Sequence, residues 1–238
     1  MDSKYAEQYR ELFEKHWWWR ARTEVIIETL RRLRSSNKWD HILDVGCGDG
    51  LFFPRLLEFG AVEGIEPASQ IVDAKNESRI YSCPFDENFR PPHKYSLILM
   101  LDVLEHLPDP VRALSHAREL LEPNGILMIT VPAFMALWTN HDVLNHHFTR
   151  YTKASLNQLT AIAGLRIAEA RYFFFWMAAA KLVVRVVERA FATEPKLPHV
   201  PHGWMNRSLY SISRMEQKIL GKLPVPVGSS LIAVVEAQ

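Results

Sequence analysis

Apolar and polar positions along this chain switch between a strand-like period and a helix-like period, and the switches mark its elements. Residues 41–46, HILDVG, read as a buried strand that ends on a glycine. Residues 51–60 read as a helix closed by Gly60, residues 61–66 as a second short strand, 67–76 as a short helix and 78–82 as a third strand. YSLILML, residues 95–101, is apolar throughout, as a strand covered on both faces must be. A helix follows with Asp109 as its cap, Pro110 at its first position and Gly125 beyond its end. Residues 126–132 form a fifth strand, 152–164 a helix capped by Thr152, and 165–174 a sixth strand. This alternation predicts an α/β fold, a doubly wound parallel sheet with helices on both faces. The rhythm then breaks. Residues 174–191 look helical, a proline-rich link covers 194–203, a second helix spans 204–223, and residues 229–238 return to a strand pattern.

The whole chain, residues 1–238, is therefore expected to form one domain. Residues 1–36 make an N-terminal helical lid, 37–174 the ligand-binding core, 175–228 a helical insertion and 229–238 the last strand. A chain of 238 residues buries one good core, or at most two small ones. A net charge of +1 gives no electrostatic footprint for nucleic acid, so none is expected as a partner. Two cysteines, Cys47 and Cys83, make no disulfide framework and suit a reducing cytoplasm. The amino-terminal residues carry no apolar signal core, and charges interrupt the most apolar stretch, residues 172–191, before it reaches the length of a membrane span.

The densest local signal is LDVGCGDG, residues 43–50. Glycines at 46, 48 and 50 let a chain leaving a buried strand turn sharply and let a ligand approach the backbone. A dinucleotide turn would place its third glycine at position 51, which is Leu51. The spacing found, with Asp44 before it, suits a nucleoside without pyrophosphate. Glu66, at the end of the second strand, is placed to accept from ribose hydroxyls.

With GIEP, YSLILMLDVLEHLPDP and LLEPNGILMITVP following in that order, residues 42–164 resemble the class I S-adenosylmethionine-dependent methyltransferases. The flanks HWWWRARTEVI, NHHFTRYTKASL and LPVPVGSSLIAVVE resemble a bacterial small-molecule branch, more distantly similar to ubiquinone-biosynthesis O-methyltransferases. The resemblance implies a Rossmann-like sheet of seven strands with the last one antiparallel. It implies S-adenosyl-L-methionine as cofactor, with Asp44, Gly46, Cys47, Gly48 and Gly50 framing its methionine part and Glu66 holding the ribose. Leu101, Asp102 and His106 would line it near the amino group and sulfonium. The acidic residue that often meets adenine in this family is displaced here, where the chain reads Ser82-Cys83-Pro84-Phe85-Asp86. Glu105 and His106 invite a catalytic role, against which stand a loop-fixing role for Glu105 and packing on the cofactor rim for His106.

NHDVLNHHFTRYT, residues 140–152, follows the fifth strand, where a parallel sheet places its ligand crevice. No metal is expected: there is no zinc signature, and adjacent residues such as His146 and His147 point apart. A polar surface loop is one alternative. Acid–base chemistry is favoured, because an oxygen or nitrogen acceptor must lose a proton and histidine titrates near neutrality. The candidates for the chemistry are His146, His141 and Tyr151, with His147 in the same polar set, Asp142 or a neighbouring carboxylate orienting an imidazole, and Arg150 and Tyr151 binding an acidic or phenolic group. The three tryptophans of HWWWRAR cannot share one helix face, and Arg20 or Arg22, Arg20 foremost, would meet the cofactor's carboxylate.

The expected activity is O-methylation of a small or lipid-like molecule with an apolar body. N-methylation of a small amine and a non-catalytic, cofactor-binding interaction subunit are the alternatives. The 173–191 helix, charged along one face, is expected either to pack on the sheet, to cover an apolar substrate or to touch a membrane surface, and a homodimer is compatible with the chain.

Overall fold

Strand β1 (Trp39–Val45) shows how the sheet is built: Leu43 and Val45 pack into one apolar layer while Ile42 packs into the opposite one. The computed structural model describes residues 3–34, 39–68, 72–191, 194, 198–221 and 223–238. Strands β2 (Gly60–Ile65), β3 (Ile80–Tyr81), β4 (Tyr95–Leu101), β5 (Leu121–Pro132), β6 (Leu165–Phe173) and β7 (Ser230–Ala237) complete a seven-stranded sheet of order β3-β2-β1-β4-β5-β7-β6. Strands β1 to β5 pair in parallel, and β7 runs antiparallel between β5 and β6. The expected fold, including the antiparallel last strand, is the fold found.

The helices are α1 (Ser3–Lys15), α2 (Trp17–Leu33), α3 (Phe53–Leu56), α4 (Pro110–Leu120), α5 (Asn140–Leu144), α6 (Lys153–Ile162), α7 (Phe175–Phe191) and α8 (Gly203–Leu220). Asp109 caps α4 by accepting from the Arg112 N–H at 3.2 Å, and Thr152 caps α6 by accepting from the Ser155 N–H at 3.1 Å. Apolar residues of α4 and α6 fill one side of the sheet, and those of α2 and α3 fill the other.

Three expectations change. The helix expected over 51–60 is one turn, Phe53–Leu56, with Pro54 in its first turn, because the chain must return to β2 at Gly60. The helix expected over 67–76 falls partly outside the described residues, and the described remainder is turn followed by a short 3₁₀ segment at Glu77–Arg79. The histidine stretch is not all loop, since α5 forms within it. Part of the proline-rich link, residues 195–197, also lies outside the described residues. Among the described residues no helix is long and apolar enough to cross a membrane. The outer side of α7 is nevertheless apolar, with Val183 63%, Val186 66% and Phe191 75% exposed.

Candidate functional site

A cavity of about 670 Å³ opens at the carboxyl ends of β1, β2, β4 and β5, the edge where parallel sheets hold ligands. One end is the glycine turn. Gly46 and Gly48 have φ of +70° and +58°, a left-handed backbone that a side chain would strain. A Cβ added at Gly48 would meet nothing within 4 Å, so the turn leaves open space over its own backbone. Glu66 faces that space. Its carboxylate accepts from the Gly48 N–H at 3.2 Å and the Ala68 N–H at 3.0 Å. Pro84 and Phe85 form an apolar flank beside it. Asp86 instead braces its own turn, accepting from the Asn88 N–H at 2.9 Å.

Asp102 follows β4 with φ +59°, a conformation that costs a non-glycine residue energy and that clusters at functional sites. Its carboxylate is held from two sides. Thr130 of β5 donates to it at 2.9 Å, and Arg22 of α2 pairs with it at 2.9 Å. Arg22 also donates to Thr130 at 2.9 Å, which ties α2 to the ends of β4 and β5. A 3₁₀ turn, Leu104–His106, follows at once. It brings Glu105 and His106 to the cavity wall. Glu105 is 1% exposed, and neither carboxylate oxygen has a hydrogen-bond partner. Burial, and then the charge of Asp102, push its pKa well up, which favours the protonated acid. Burial and neighbouring His147 lower the pKa of His106.

The far end of the cavity is built by the segment after β5. Thr139 and Asp142 form a capping box that starts α5 and turns the Asp142 carboxylate inward. Arg150 grips that carboxylate through Nε and Nη2, both at 2.8 Å, and donates to the Ala133 carbonyl at 3.2 Å. His147 Nδ1 lies 2.9 Å from the same carboxylate. The imidazole is thus oriented by an anchored acid, its ring edge-on to His106 with centroids 4.7 Å apart. His141 also lines the cavity, and it is open to solvent there.

The model of a methyltransferase domain family matches residues 18–170. The chain belongs to that methyltransferase family. An uncharacterized methyltransferase of Schizosaccharomyces pombe is 26% identical over 212 residues, 77% of this chain and 73% of that protein. A ubiquinone biosynthesis O-methyltransferase of Coxiella burnetii is 33% identical over 102 residues, 39% of this chain. The chain spans 44% of the length of that relative. Among solved structures, an S-adenosylmethionine-dependent methyltransferase from Archaeoglobus fulgidus superposes with a TM-score of 0.59 at 14% identity, covering 98% of this chain and 99% of that one. The methyltransferase is therefore an enzyme that uses S-adenosylmethionine. The glycine turn with open space above it, the carboxylate at the end of β2 and the apolar flank of Phe85 fit such a donor.

Of the cofactor-binding residues expected from sequence, Gly46, Cys47, Gly48, Glu66, Leu101, Asp102 and His106 lie on the cavity wall of the methyltransferase. Asp44 and Gly50 do not. Asp44 is buried behind the turn, where burial raises its pKa to about 7. Gly50 has φ +78°, which strains any other residue, and a Cβ there would displace the Asn76 side chain, which ties the turn by donating to the Asp49 carbonyl at 2.7 Å. Arg20 stands off the cavity wall. It is exposed and stacks on Tyr210 at 4.5 Å, while Arg22, on the cavity-facing side of α2, makes the buried contacts. The tryptophans divide as helix geometry requires: Trp18 and Trp19 line the cavity, and Trp17 packs on Trp176 with ring centroids 5.3 Å apart.

Two of the three candidates for the chemistry also stand off that wall. His146 is exposed with φ +55° and stands off the cavity wall, and its left-handed turn directs His147 inward instead. Tyr151 is 5% exposed and is a core residue, its hydroxyl donating to the Leu104 carbonyl at 3.1 Å. The sequence carries no metal signature, yet Glu105, His106 and His147 offer ligand atoms all within 4.8 Å of one another. That set is drawn from two separate loops, which no local spacing reveals.

Proposed function

We propose that this methyltransferase transfers a methyl group to an oxygen of a small molecule with an apolar body, and that His147 is the general base. The single observation that supports this is the chain Arg150–Asp142–His147, which fixes one imidazole nitrogen against an anchored carboxylate and leaves the ring at the cavity wall. The donor would be held by Gly46, Cys47, Gly48, Glu66, Leu101, Asp102 and His106. When bound, S-adenosylmethionine supplies an electrophilic methyl on a sulfonium. What remains for the chain is alignment and removal of the acceptor's proton. His147 accepts that proton, and Asp142 stabilises the imidazolium. Glu105, whose burial favours the protonated form, would donate a hydrogen bond to the acceptor. In this arrangement α1 and the front of α2 form the lid, through Leu12, Trp18 and Trp19, and α7 closes the acceptor end. The free thiols of Cys47 and Cys83 fit a cytoplasmic setting. For a lipid-like acceptor, the apolar outer side of α7 would rest on a bilayer, which vesicle co-sedimentation tests.

The test is transfer of labelled methyl from S-adenosylmethionine to parallel panels of phenols, catechols and amines, with products identified by mass spectrometry. His147→Ala should lower kcat about 10²-fold or more while S-adenosylhomocysteine binding persists. Methylation confined to amines would replace the oxygen acceptor with nitrogen. No transfer to any panel, despite donor binding, would favour a cofactor-binding interaction subunit.

A second reading has one observation behind it. Glu105, His106 and His147 are spaced to hold a divalent cation, and Asp142 bonded to the other nitrogen of His147 is the usual outer support of a metal-bound imidazole. The base mechanism requires activity to survive a chelator. Loss on chelation, with recovery on adding one equivalent of zinc or magnesium, would favour the metal.

A further inference from the structure

Among the described residues, one cation on the cavity wall has nothing to pair with. Lys181 of α7 lines the acceptor end, and among the described residues its ammonium makes no hydrogen bond or ion pair. The other cations of that wall are taken: Arg22 by Asp102 and Arg150 by Asp142. Asp142 is itself saturated by Arg150, His147 and Thr139.

The position of Lys181 is built. Lys181, Arg185 and Glu188 fall at i, i+4 and i+7 and so share one face of α7. Arg185 donates to the Met135 carbonyl at 2.6 Å, and Glu188 accepts from the Asn140 N–H at 2.9 Å. These two contacts clamp α7 onto the segment after β5. Lys181, one turn earlier, is thereby held over the cavity end where His141 stands. Burial lowers its pKa to about 8, helped by Arg150 and opposed by Asp142, Asp102 and Glu188. It still carries its charge at neutral pH. A partly desolvated charge without a counter-ion is costly, and an anion within hydrogen-bond reach removes most of that cost.

We propose that Lys181 is the anion-binding residue of the acceptor pocket, and that the natural acceptor carries a carboxylate or a phosphate beside its apolar body. This rests on the assignment of that end of the cavity to the acceptor. The experiment is calorimetry on the protein saturated with S-adenosylhomocysteine, using matched probes. 3,4-Dihydroxybenzoate against 3,4-dihydroxybenzamide tests a carboxylate, and phenyl phosphate against phenol tests a phosphate. At least one anion should bind about tenfold or more tighter than its neutral partner. Lys181→Gln should erase that difference with S-adenosylhomocysteine affinity unchanged. Lys181→Glu should reverse it, favouring 3,4-dihydroxybenzylamine over the benzoate.

Equal affinity for anion and neutral partner, no detectable binding of either anion, or a preference that survives Lys181→Gln would overturn the proposal. Its failure is separable from failure of the O-methylation mechanism. Anion binding that depends on Lys181 without methyl transfer would leave this site standing and count against O-methylation. Transfer to the neutral catechol as fast as to the benzoate, and indifferent to Lys181→Gln, would do the reverse.

Discussion

Asp142 is 0% exposed, and its carboxylate accepts from Arg150 Nε and Nη2 at 2.8 Å each, from the Thr139 N–H at 2.9 Å and from His147 Nδ1 at 2.9 Å. Asp142→Ala removes the acceptor of all four bonds and leaves the guanidinium of Arg150, a residue 4% exposed, without its counter-charge. Breaking a buried pair by deleting one partner costs about 3–5 kcal/mol. With a urea m-value of roughly 2–3 kcal/mol/M for a domain this size, the unfolding midpoint should fall by roughly 1–2 M. Deleting both partners relieves the stranded charge. Asp142→Leu combined with Arg150→Met should therefore cost about 1–3 kcal/mol less than the two single losses added. The pH dependence has a definite sign. Burial alone would raise the Asp142 pKa, but hydrogen bonds from His147 and Arg150 and the charge of Arg150 outweigh it and hold the pKa below the ordinary carboxylate value. The stabilisation is then fully present above the unfolded carboxyl pKa of about 4 and is lost as pH falls below it. The gap between wild type and Asp142→Ala should shrink in that acid range. Urea titrations at neutral and acid pH, followed by circular dichroism, measure all of this. A single variant within about 1 kcal/mol of wild type, or a double variant equal to the sum of the singles, would refute a desolvated, mutually dependent pair.

Gly48→Val should abolish S-adenosylmethionine binding measured by calorimetry, because its side chain fills the space over the turn, and its φ of +58° adds about 1–2 kcal/mol of strain. Glu66→Ala should weaken the same binding about tenfold, the loss expected for one charge-assisted hydrogen bond. Tyr151→Phe should cost about 1 kcal/mol in urea melts, for the lost bond to Leu104, with kcat unchanged, and His146→Ala should change neither stability nor kcat. His16 caps α2, accepting from the Trp18 N–H through Nδ1, and burial lowers its pKa to about 4. A lowered histidine pKa means stability is lost as pH falls from about 6.5 toward 4, by up to about 3 kcal/mol, and His16→Asn, which keeps a capping oxygen, should flatten that slope.

Much of the fold was legible because its burial is two-sided and its caps are chemical. Tyr95–Leu101 was bounded correctly as β4, since a run with Tyr95, Leu97, Ile98, Leu99 and Met100 all fully buried has no polar face to confuse its period. Asp109 and Pro110 likewise marked the start of α4. The helix after the glycine turn was overextended because Leu51, Phe52, Phe53, Leu56 and Phe59 are apolar at helical spacing, while in the structure Leu57–Phe59 turn the chain back to β2. Burial of Phe53, Leu56 and Phe59 does not require a continuous helix. The antiparallel place of β7 between β5 and β6 came from family resemblance, since a strand's direction leaves no mark on its own hydrophobic pattern.

The site was legible where one element carries its residues and illegible where two loops meet. Gly48 and Glu66 sit at consecutive strand ends, so topology alone brings them together. Arg22 carried a usable signal: it lies four residues after Trp18, with its guanidinium 5.7 Å from that ring, so the tryptophan that faces the cavity takes Arg22 with it and leaves Arg20 outside. The exchange of His146 for His147 had no such signal. It depends on φ +55° at His146, and Asp142, His147 and Arg150 meet at intervals of five and eight residues only because that left-handed residue breaks the helix period. Adjacent histidines must diverge; which one turns inward is decided by the carboxylate that Arg150 anchors. The 173–191 helix is charged along one face in sequence, yet Arg185 and Glu188 on that face spend their charges clamping α7 to the segment after β5. A charge stripe on an inserted helix is therefore ambiguous in sequence: the same spacing serves solvation or docking, and only the partners, here the Met135 carbonyl and the Asn140 N–H, tell them apart.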